Sequence, residues 1–543
     1  MKKRIFFLFA LVLSNICQAQ FGNLQIEDRF DAVYEQLYGP IYDINSSTNN
    51  INAQGDITYN KATIYSNTTD EITLGSLRTG SLEALLRMYE ATCDPKYLWE
   101  FMEQVNQIVA IRADKISPLQ SAWPYWFKNY VYMHGRLLTA FTHFVHLVKS
   151  KPVIYNASIP LAHRPNFGNF TTIGAFADNL NTVNRQTMDF LMTRYWKTAG
   201  DDCMCKPSTI SATCSGAPAG LNNMELNMQA PFGCALLYLY LANPTEVSYA
   251  VKTVQMARAY LVSQGNVLEY NSTYNAYVWH HDGWQRNSAG GSLTNVYYED
   301  IGHGGLDIMF PLLYNKYYNN FYSSITAGQY FEDYQMARFR NTFTKIIYNG
   351  SIPTSCTPGS TFDCNVYGTC SGHYGSTSSA DYQMNGKNWT LLYKFDNVSG
   401  SQPGSTVYSI MMNYYIAVES CISINSNNYG GIGIQGLADM VYANRDKEGL
   451  IGCPLSLVLS NENTFELKNP VSESFVVPIE EEISEVRIYD MNGKEQVINR
   501  NDKTIFIKNL ADGYYILVLK TFEQTIRKRI FVLNNDAENR NLR

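Results

Sequence analysis

The sequence predicts a mainly helical protein, helical hairpins closed into a ring, followed by a small C-terminal β-sandwich. Three observations point there. Between about residues 70 and 450 the chain repeats a unit of apolar helix, short turn and amphipathic helix. The loops between units are long and rich in Gly, Asn and Tyr, which suits a closed scaffold carrying a site better than an open array of strict period. From about residue 456 the pattern changes to short β-rich runs separated by Asn-Gly, Ala-Asp-Gly and charged turns.

Composition sets the outer bounds. The 543 residues carry 42 Lys and Arg against 48 Asp and Glu, a formal charge of -6, which lacks the basic footprint of a dedicated nucleic-acid binder. With 45% hydrophobic and 17% charged residues the chain can bury a sizeable core and is far from a disordered composition. The 40 tyrosines fit wet, polar ligands such as sugars and equally fit ordinary packing.

Residues 1–19 have the form of a secretory signal peptide: Lys2, Lys3 and Arg4, an apolar run from Ile5 to Leu13, and small or polar residues ending at Cys17-Gln18-Ala19. The apolar run is too short to span a bilayer, and no later run approaches the ~18 apolar residues that would do so. Residues 20–69 form an N-terminal lead segment.

Residues 70–455 hold the hairpins. SLEALLRMYEATCDPKYLWEFMEQVNQIVAI places a turn at Asp94-Pro95 between two helices, and APFGCALLYLYLANPTEVSYAVKTVQMARAYLV places one at Asn243-Pro244. A third unit starts at GGLDIMFPLLYNKYYNN and continues in DYQMARFRNTFTKIIY. A fourth joins SIMMNYYIAVESCISI to IGIQGLADMVYANR, and Tyr132 to Lys149 with Asp178 to Trp196 make a fifth. The first helix of each is apolar on most faces and the second has i, i+3, i+4 periodicity, as an inner and an outer helix require. This region resembles the α/α-toroid superfamily of six-hairpin glycosidases and polysaccharide lyases. LLRMYEATCDPKYL is similar to that group's inner-helix, turn, outer-helix signature, with Cys93 where Gly is frequent. The resemblance is architectural and selects no single family.

Residues 456–543 read as the β-sandwich. They resemble the C-terminal sorting domain that directs Bacteroidetes proteins through type IX secretion. Asn469-Pro470-Val471 opens it, Val486 to Tyr489 precedes Asn492-Gly493-Lys494, Leu510 to Tyr515 follows, and the basic strand Arg527 to Val532 closes it. The resemblance implies export through periplasm and outer membrane, then release or surface attachment, with the secretion machinery as partner. A sugar-binding or spacer sandwich is the alternative. Without Cys17 ten cysteines remain, an even number that favours disulfides in an oxidising compartment; their spacing does not suit zinc.

Chemistry concentrates in YVWHHDGWQRNSAGGSLTNVYYEDIGHGGLDIMF, residues 277–310, which hold His280, His281 and His303, three of the chain's eight histidines. Gly302, Gly304 and Gly305 place His303 at the start of a helix, at the mouth of the expected ring. A lyase acting on a uronic-acid polysaccharide must neutralise a carboxylate, remove the adjacent proton and protonate the leaving oxygen. His303 is the expected base and Tyr298 the acid; Arg286 would pair the carboxylate and Trp284 would platform the sugar. His281, Tyr297 and Asp307 are further substrate-binding candidates; the toroid lyases that this region resembles also use an Asn and a His on neighbouring helices and loops, and LNNMELNMQAPFG supplies Asn222, Asn223 and Asn227, of which Asn227 is the candidate. The alternative is an inverting glycoside hydrolase, with Glu299 or Asp300 as one carboxyl and Asp282, Asp307 or Asp94 as the other, about 6.5 to 9.5 Å apart.

Plainer roles compete at each position. Glu299 and Asp300 would also serve as helix caps, His303 as a structural histidine, and Trp284 and the tyrosines as core. Adjacent His280 and His281 on a strand face opposite ways, so they do not make a metal pair. No phosphate-cradling or dinucleotide fingerprint is present, hence no organic cofactor is expected; a loop-stabilising Ca²⁺ has no legible signature. The expected substrate is an acidic polysaccharide, and a non-catalytic cell-surface glycan binder is the third alternative.

Overall fold

The computed structural model describes residues 23–38, 40–42, 71, 73–116, 123–197, 202–212, 223–262, 267–281, 298–321, 330–351, 362–363, 365–368, 388–418, 433–447, 473–477, 483–490, 495–511, 513–521 and 525–532. It divides into a helical unit, residues 1–451, and a β unit, residues 452–543, a few residues before the change of composition at 456. The protein is mainly helical, with small antiparallel sheets near the C-terminus.

In the helical unit α1 (Asn23–Tyr38) comes from the lead segment. It is bound into the unit: Asp31 pairs with Lys96 at 2.6 Å, and Tyr34 donates to Glu100 at 3.0 Å. A π-helical turn, Thr73–Arg78, leads into α2 (Thr79–Thr92). Cys93, at φ 62°, ends α2 in the left-handed conformation that glycine adopts most cheaply, and its N–H caps Tyr89 O. Asp94 then accepts from Lys96 N at 3.0 Å and starts α3 (Lys96–Ala110). Next come α4 (Met133–Lys149) and α5 (Ile173–Tyr195), the latter capped by Thr172. A two-residue ladder, β1 (Trp196–Lys197) with β2 (Cys203–Met204), follows. Then come α6 (Leu226–Ala242) and α7 (Val247–Val262), a hairpin of β3 (Leu268–Asn271) and β4 (Ala276–Trp279), α8 (Ile301–Asp307) and α9 (Met309–Phe321). α10 (Asp333–Asn341), a 3-10 helix Thr390–Phe395, α11 (Val407–Val418) and α12 (Ile434–Lys447) complete the unit. Cys93 and Cys205 each take part in a disulfide whose partner lies outside the described residues, and Cys234 is a buried free thiol.

Burial separates two kinds of helix. In α6 nearly every residue is buried, as a helix apolar on all faces must be. The packing runs α2 to α4, α4 to α6, α6 to α8 and α9, and from α8 to Asn388 and Trp389, which donate to Gly305 O and Ile301 O at 2.8 Å each. The Thr390–Phe395 helix packs on α12, and α12 packs on α2. The succession returns to the helix it began from.

These helices run parallel, because each meets the next at matching levels. A Cβ on Gly75 would lie 2.5 Å from Met133, on Gly135 2.8 Å from Phe232, and on Gly233 2.6 Å from Phe310. Further along, His143 stacks on Tyr238, and Tyr238 meets Tyr317. The three glycines sit where the large side chain of the following helix must approach the backbone, so one packing device recurs along the chain. All five hairpins expected from the sequence contain helices at the expected places. The fourth departs from the expected polarity: α12, read as its outer helix, is buried against α2 and the 3-10 helix, while α11 flanks it. Polar residues such as Asp439 and Arg445 lend α12 its amphipathic look, yet they are buried in ion pairs with Arg87 and Glu27.

The β unit holds two antiparallel sheets. One has the order β11 (Thr525–Val532), β10 (Gly513–Thr521), β6 (Ile483–Asp490), β7 (Glu495–Gln496); the other has β5 (Ser474–Val476), β9 (Thr504–Phe506), β8 (Asn499–Asn501). Val477 and Ile505 from the second sheet share a core with Ile488, Leu517, Leu519 and Ile530 from the first. Alternation along β10 buries Leu517 and Leu519, as period-two patterning requires.

Candidate active site

The site forms where β4 ends and α8 begins. His280 bridges to Tyr298, Glu299 N donates to Trp279 O at 3.2 Å, and Val366 N donates to Glu299 O at 3.1 Å, so Glu299 is fixed between two extended segments. Asp300 is the N-cap of α8: its side chain accepts from His303 N at 2.9 Å. Its other oxygen holds His303 Nδ1 at 2.5 Å. Alongside, His281 Nδ1 lies 2.9 Å from Glu299 Oε1. The site thus contains two carboxylate and imidazole dyads, with ring centroids 5.3 Å apart. Gly304 lets α8 lie against Trp389, 2.9 Å from where its Cβ would be, which anchors the turn bearing His303.

The dyads differ electrostatically. Burial raises the Glu299 carboxyl to about 8. Asp307, which accepts from Trp279 Nε1 at 2.6 Å, is pushed well above the usual carboxylate range by burial and by the Glu299 charge. The pair therefore keeps a proton between them at neutral pH. Burial also pushes Asp300 upward, but the hydrogen bonds and charge of His303 outweigh it and leave the carboxyl below its ordinary value. His281 belongs to a proton-holding dyad and His303 to one with an ionised partner. His303 is the more open of the two rings, 36% exposed.

Of the residues singled out by sequence, His281, Glu299, Asp300, His303 and Asp307 come together here. Asn227 lies in the first turn of α6, which packs on α8; the Gly233 and Phe310 level, traced back two turns, brings it level with His303. Its Nδ2 is buried with no hydrogen-bond partner among the described residues. Tyr298 is not brought to His303. It shares the other face of the bridge with His280, at 4.9 Å, and with Tyr367, at 3.8 Å between rings, as strand alternation requires. Glu299 and Asp307, a candidate inverting pair, are both buried and each influences the other's ionisation. Asp94 lies past the C-terminal end of α2, at the opposite end of the parallel helices from His303. Asp282, Trp284, Arg286 and Tyr297 lie outside the described residues.

Two features escaped the sequence reading. His281, Glu299 and His303 each offer a ligand atom within 4.8 Å of the others, a set that could hold a divalent ion. Sequence spacing hides it because the three stand on separate elements. A buried ionic network also fills the helical unit: Arg87 pairs with Glu90 at 3.0 Å and Asp439 at 3.3 Å, and His143 lies 3.4 Å from Glu83. The visible signal was the charge interrupting the apolar run LEALLRMYE.

No curated protein and no solved structure matches the chain. Residues 469–533 match the family model of the secretion system C-terminal sorting domain. No helix among the described residues is long and apolar enough to cross a membrane. The β unit is therefore a type IX sorting domain, and the protein is one exported by that system for secretion or attachment at the cell surface.

Proposed function

We propose that the helical unit is an α/α toroid whose site cleaves a uronic-acid polysaccharide by β-elimination. The observation that carries this is the pair of dyads, Glu299 with His281 and Asp300 with His303. A carboxylate on Nδ1 makes Nε2 the basic nitrogen, the arrangement of an oriented general base. When neighbouring titratable groups are pushed apart by their surroundings, the acid and base assignments follow. His303 removes the proton next to the carboxylate of the sugar, and its positive charge is stabilised by Asp300. His281, backed by the proton that Glu299 and Asp307 retain, protonates the leaving glycosidic oxygen. Asn227 Nδ2 is suited to hydrogen-bond the sugar carboxylate, which makes the abstracted proton more acidic; Arg286 is assigned the same partner.

The closed succession of parallel helices from α2 to α12 and back supports the toroid. The two imidazoles, each held on a carboxyl group, favour elimination over inverting hydrolysis, which relies on two carboxyls alone. The test is to incubate the purified protein with acidic and neutral polysaccharides, following ultraviolet absorbance and reducing ends together. Elimination yields an absorbing unsaturated product; reducing ends without absorbance mean hydrolysis, and neither signal with retained binding means a glycan-binding protein. Dialysis against a chelator separates dyad chemistry, which survives it, from use of His281, Glu299 and His303 as metal ligands.

A further inference from the structure

Deeper in the helical unit lies a cavity of about 400 Å³, lined by side chains from α2, α4, α6, α9, α12 and the Thr390–Phe395 helix. None of His281, Glu299, Asp300 or His303 lines it. It begins at Asn388, whose Nδ2 donates to Gly305 O two residues beyond His303, and continues toward Lys316, Lys394 and Tyr442 in the second halves of their helices. Its upper end thus lies within a helical turn of the proposed reaction site.

The wall has a definite chemistry. Lys316 Nζ is 3.7 Å from Glu90, and Lys394 Nζ is 3.7 Å from Asp446. Both separations exceed the ~2.7 to 3.2 Å of a hydrogen bond, so these ion pairs do not use up the ammonium donors. Glu90 is shared further, with Arg87 at 3.0 Å and with His143 at 3.5 Å. The two acids of the wall are engaged elsewhere, Glu83 beside His143 and Asp333 accepting from Asn315 at 3.1 Å. Tyr238 and Tyr442 add flat rings, and Tyr442 is held by Arg87 lying 4.8 Å over it. Cations with unspent donors beside aromatic faces bind a small anion that also has an apolar face.

We infer that this cavity binds a short acidic saccharide of one or two uronic-acid residues, its carboxylate held by Lys316 and Lys394 and its ring faces by Tyr238 and Tyr442. The volume lies at the low end of the roughly 300 to 1,000 Å³ of ligand sites, which limits the occupant to that size. The anionic character follows from the wall; the identification as a sugar rests on the proposed function. An acidic fragment released at His303 would find this second site directly beneath it.

Calorimetric titration of digalacturonic acid and of neutral cellobiose into the full-length His303→Ala protein tests the inference without turnover. Digalacturonic acid is expected to bind, with cellobiose at least tenfold weaker. Lys316→Met and Lys394→Met should each weaken the acidic ligand tenfold or more, and Lys394→Arg should retain it. Equal binding of the two disaccharides, or affinity unchanged in both methionine variants, would overturn the proposal. Thermal melting monitors folding, and if Lys316→Met does not fold, the more peripheral Lys394→Met decides. Binding that depends on the lysines, from a protein that cleaves no polymer, would sink the lyase reading and leave this site standing.

Discussion

His281 and His303 face each other at 5.3 Å, yet each has its Nδ1 committed to a different buried acid, Glu299 for one and Asp300 for the other. Two equivalent imidazoles are thereby made unequal. The difference arises beyond the rings, in Asp307, which adds a second carboxyl and a retained proton to one dyad only.

His303→Ala should lower kcat by about 10² or more, since a general base contributes roughly 10²- to 10⁴-fold. Folding should survive because the ring is partly exposed. Asp300 has two duties that substitution can separate. Asp300→Ser keeps an N-cap oxygen and should lose activity with little change in melting temperature. Asp300→Ala loses the cap as well and should cost a further ~1 kcal/mol. Equal kcat for Asp300→Ser and the native protein would remove the dyad from the mechanism.

The Glu299 carboxyl, raised to about 8, predicts a pH effect whose sign is fixed. Between the ordinary glutamate range and about 8, the folded state binds the proton and the unfolded state does not. Stability from this group is therefore fully present at acid pH and is lost as pH rises toward 8. Glu299→Gln cannot titrate. Its melting temperature should fall less than that of the native protein between pH 5 and about 8. Identical slopes would mean that Glu299 is ionised throughout. Activity should decline on the alkaline side over the same interval, as the proton held behind His281 is lost.

Legibility differed between elements for physical reasons. The hairpins were readable because helix burial writes itself into periodicity, and the Asp94-Pro95 and Asn243-Pro244 turns mark their ends. Glu299, Asp300 and His303 were readable as a cluster because they are near neighbours in sequence. The roles within it were not. Whether Tyr298 faces His303 depends on the bridge to His280, a pairing between distant segments that flips alternate side chains. α12 was misjudged because its buried charges find partners in α1 and α2, which no local window contains. The Thr390–Phe395 helix is too short to show a period.

The recurring glycine contacts make a packing prediction. Gly135→Ala and Gly233→Ala each place a methyl within 3 Å of a phenylalanine ring, Phe232 and Phe310 respectively. Both rings are fully buried and cannot swing into solvent. Overpacking of this kind costs about 1–3 kcal/mol, so each variant should melt several degrees lower. Gly80→Ala, on the same run of helix as Gly75, meets nothing closer than Gln435 Oε1 at 3.8 Å and should be neutral or slightly stabilising. Equal melting of all three variants would show that the parallel helices do not meet where these glycines are.

Removal of residues 456–543 should change the location of the protein and leave its fold intact. The β unit has its own core, in which Leu517, Leu519 and Ile530 are fully buried among residues of that unit alone. The core of the helical unit is likewise formed from its own side chains, Trp99, Trp279 and Trp389 among them. With its own core intact, the melting transition of the helical unit should persist after truncation. The sorting domain at 469–533 would be gone, and with it the feature recognised for passage across the outer membrane. Fractionation should then find the truncated chain in the periplasm, folded and still able to act on substrate in extracts. Appearance of the truncated chain in the medium at native levels would mean that export does not depend on this domain. Loss of the melting transition would mean instead that the helical unit needs the β unit to fold, and the two outcomes are told apart by measuring both on the same fraction.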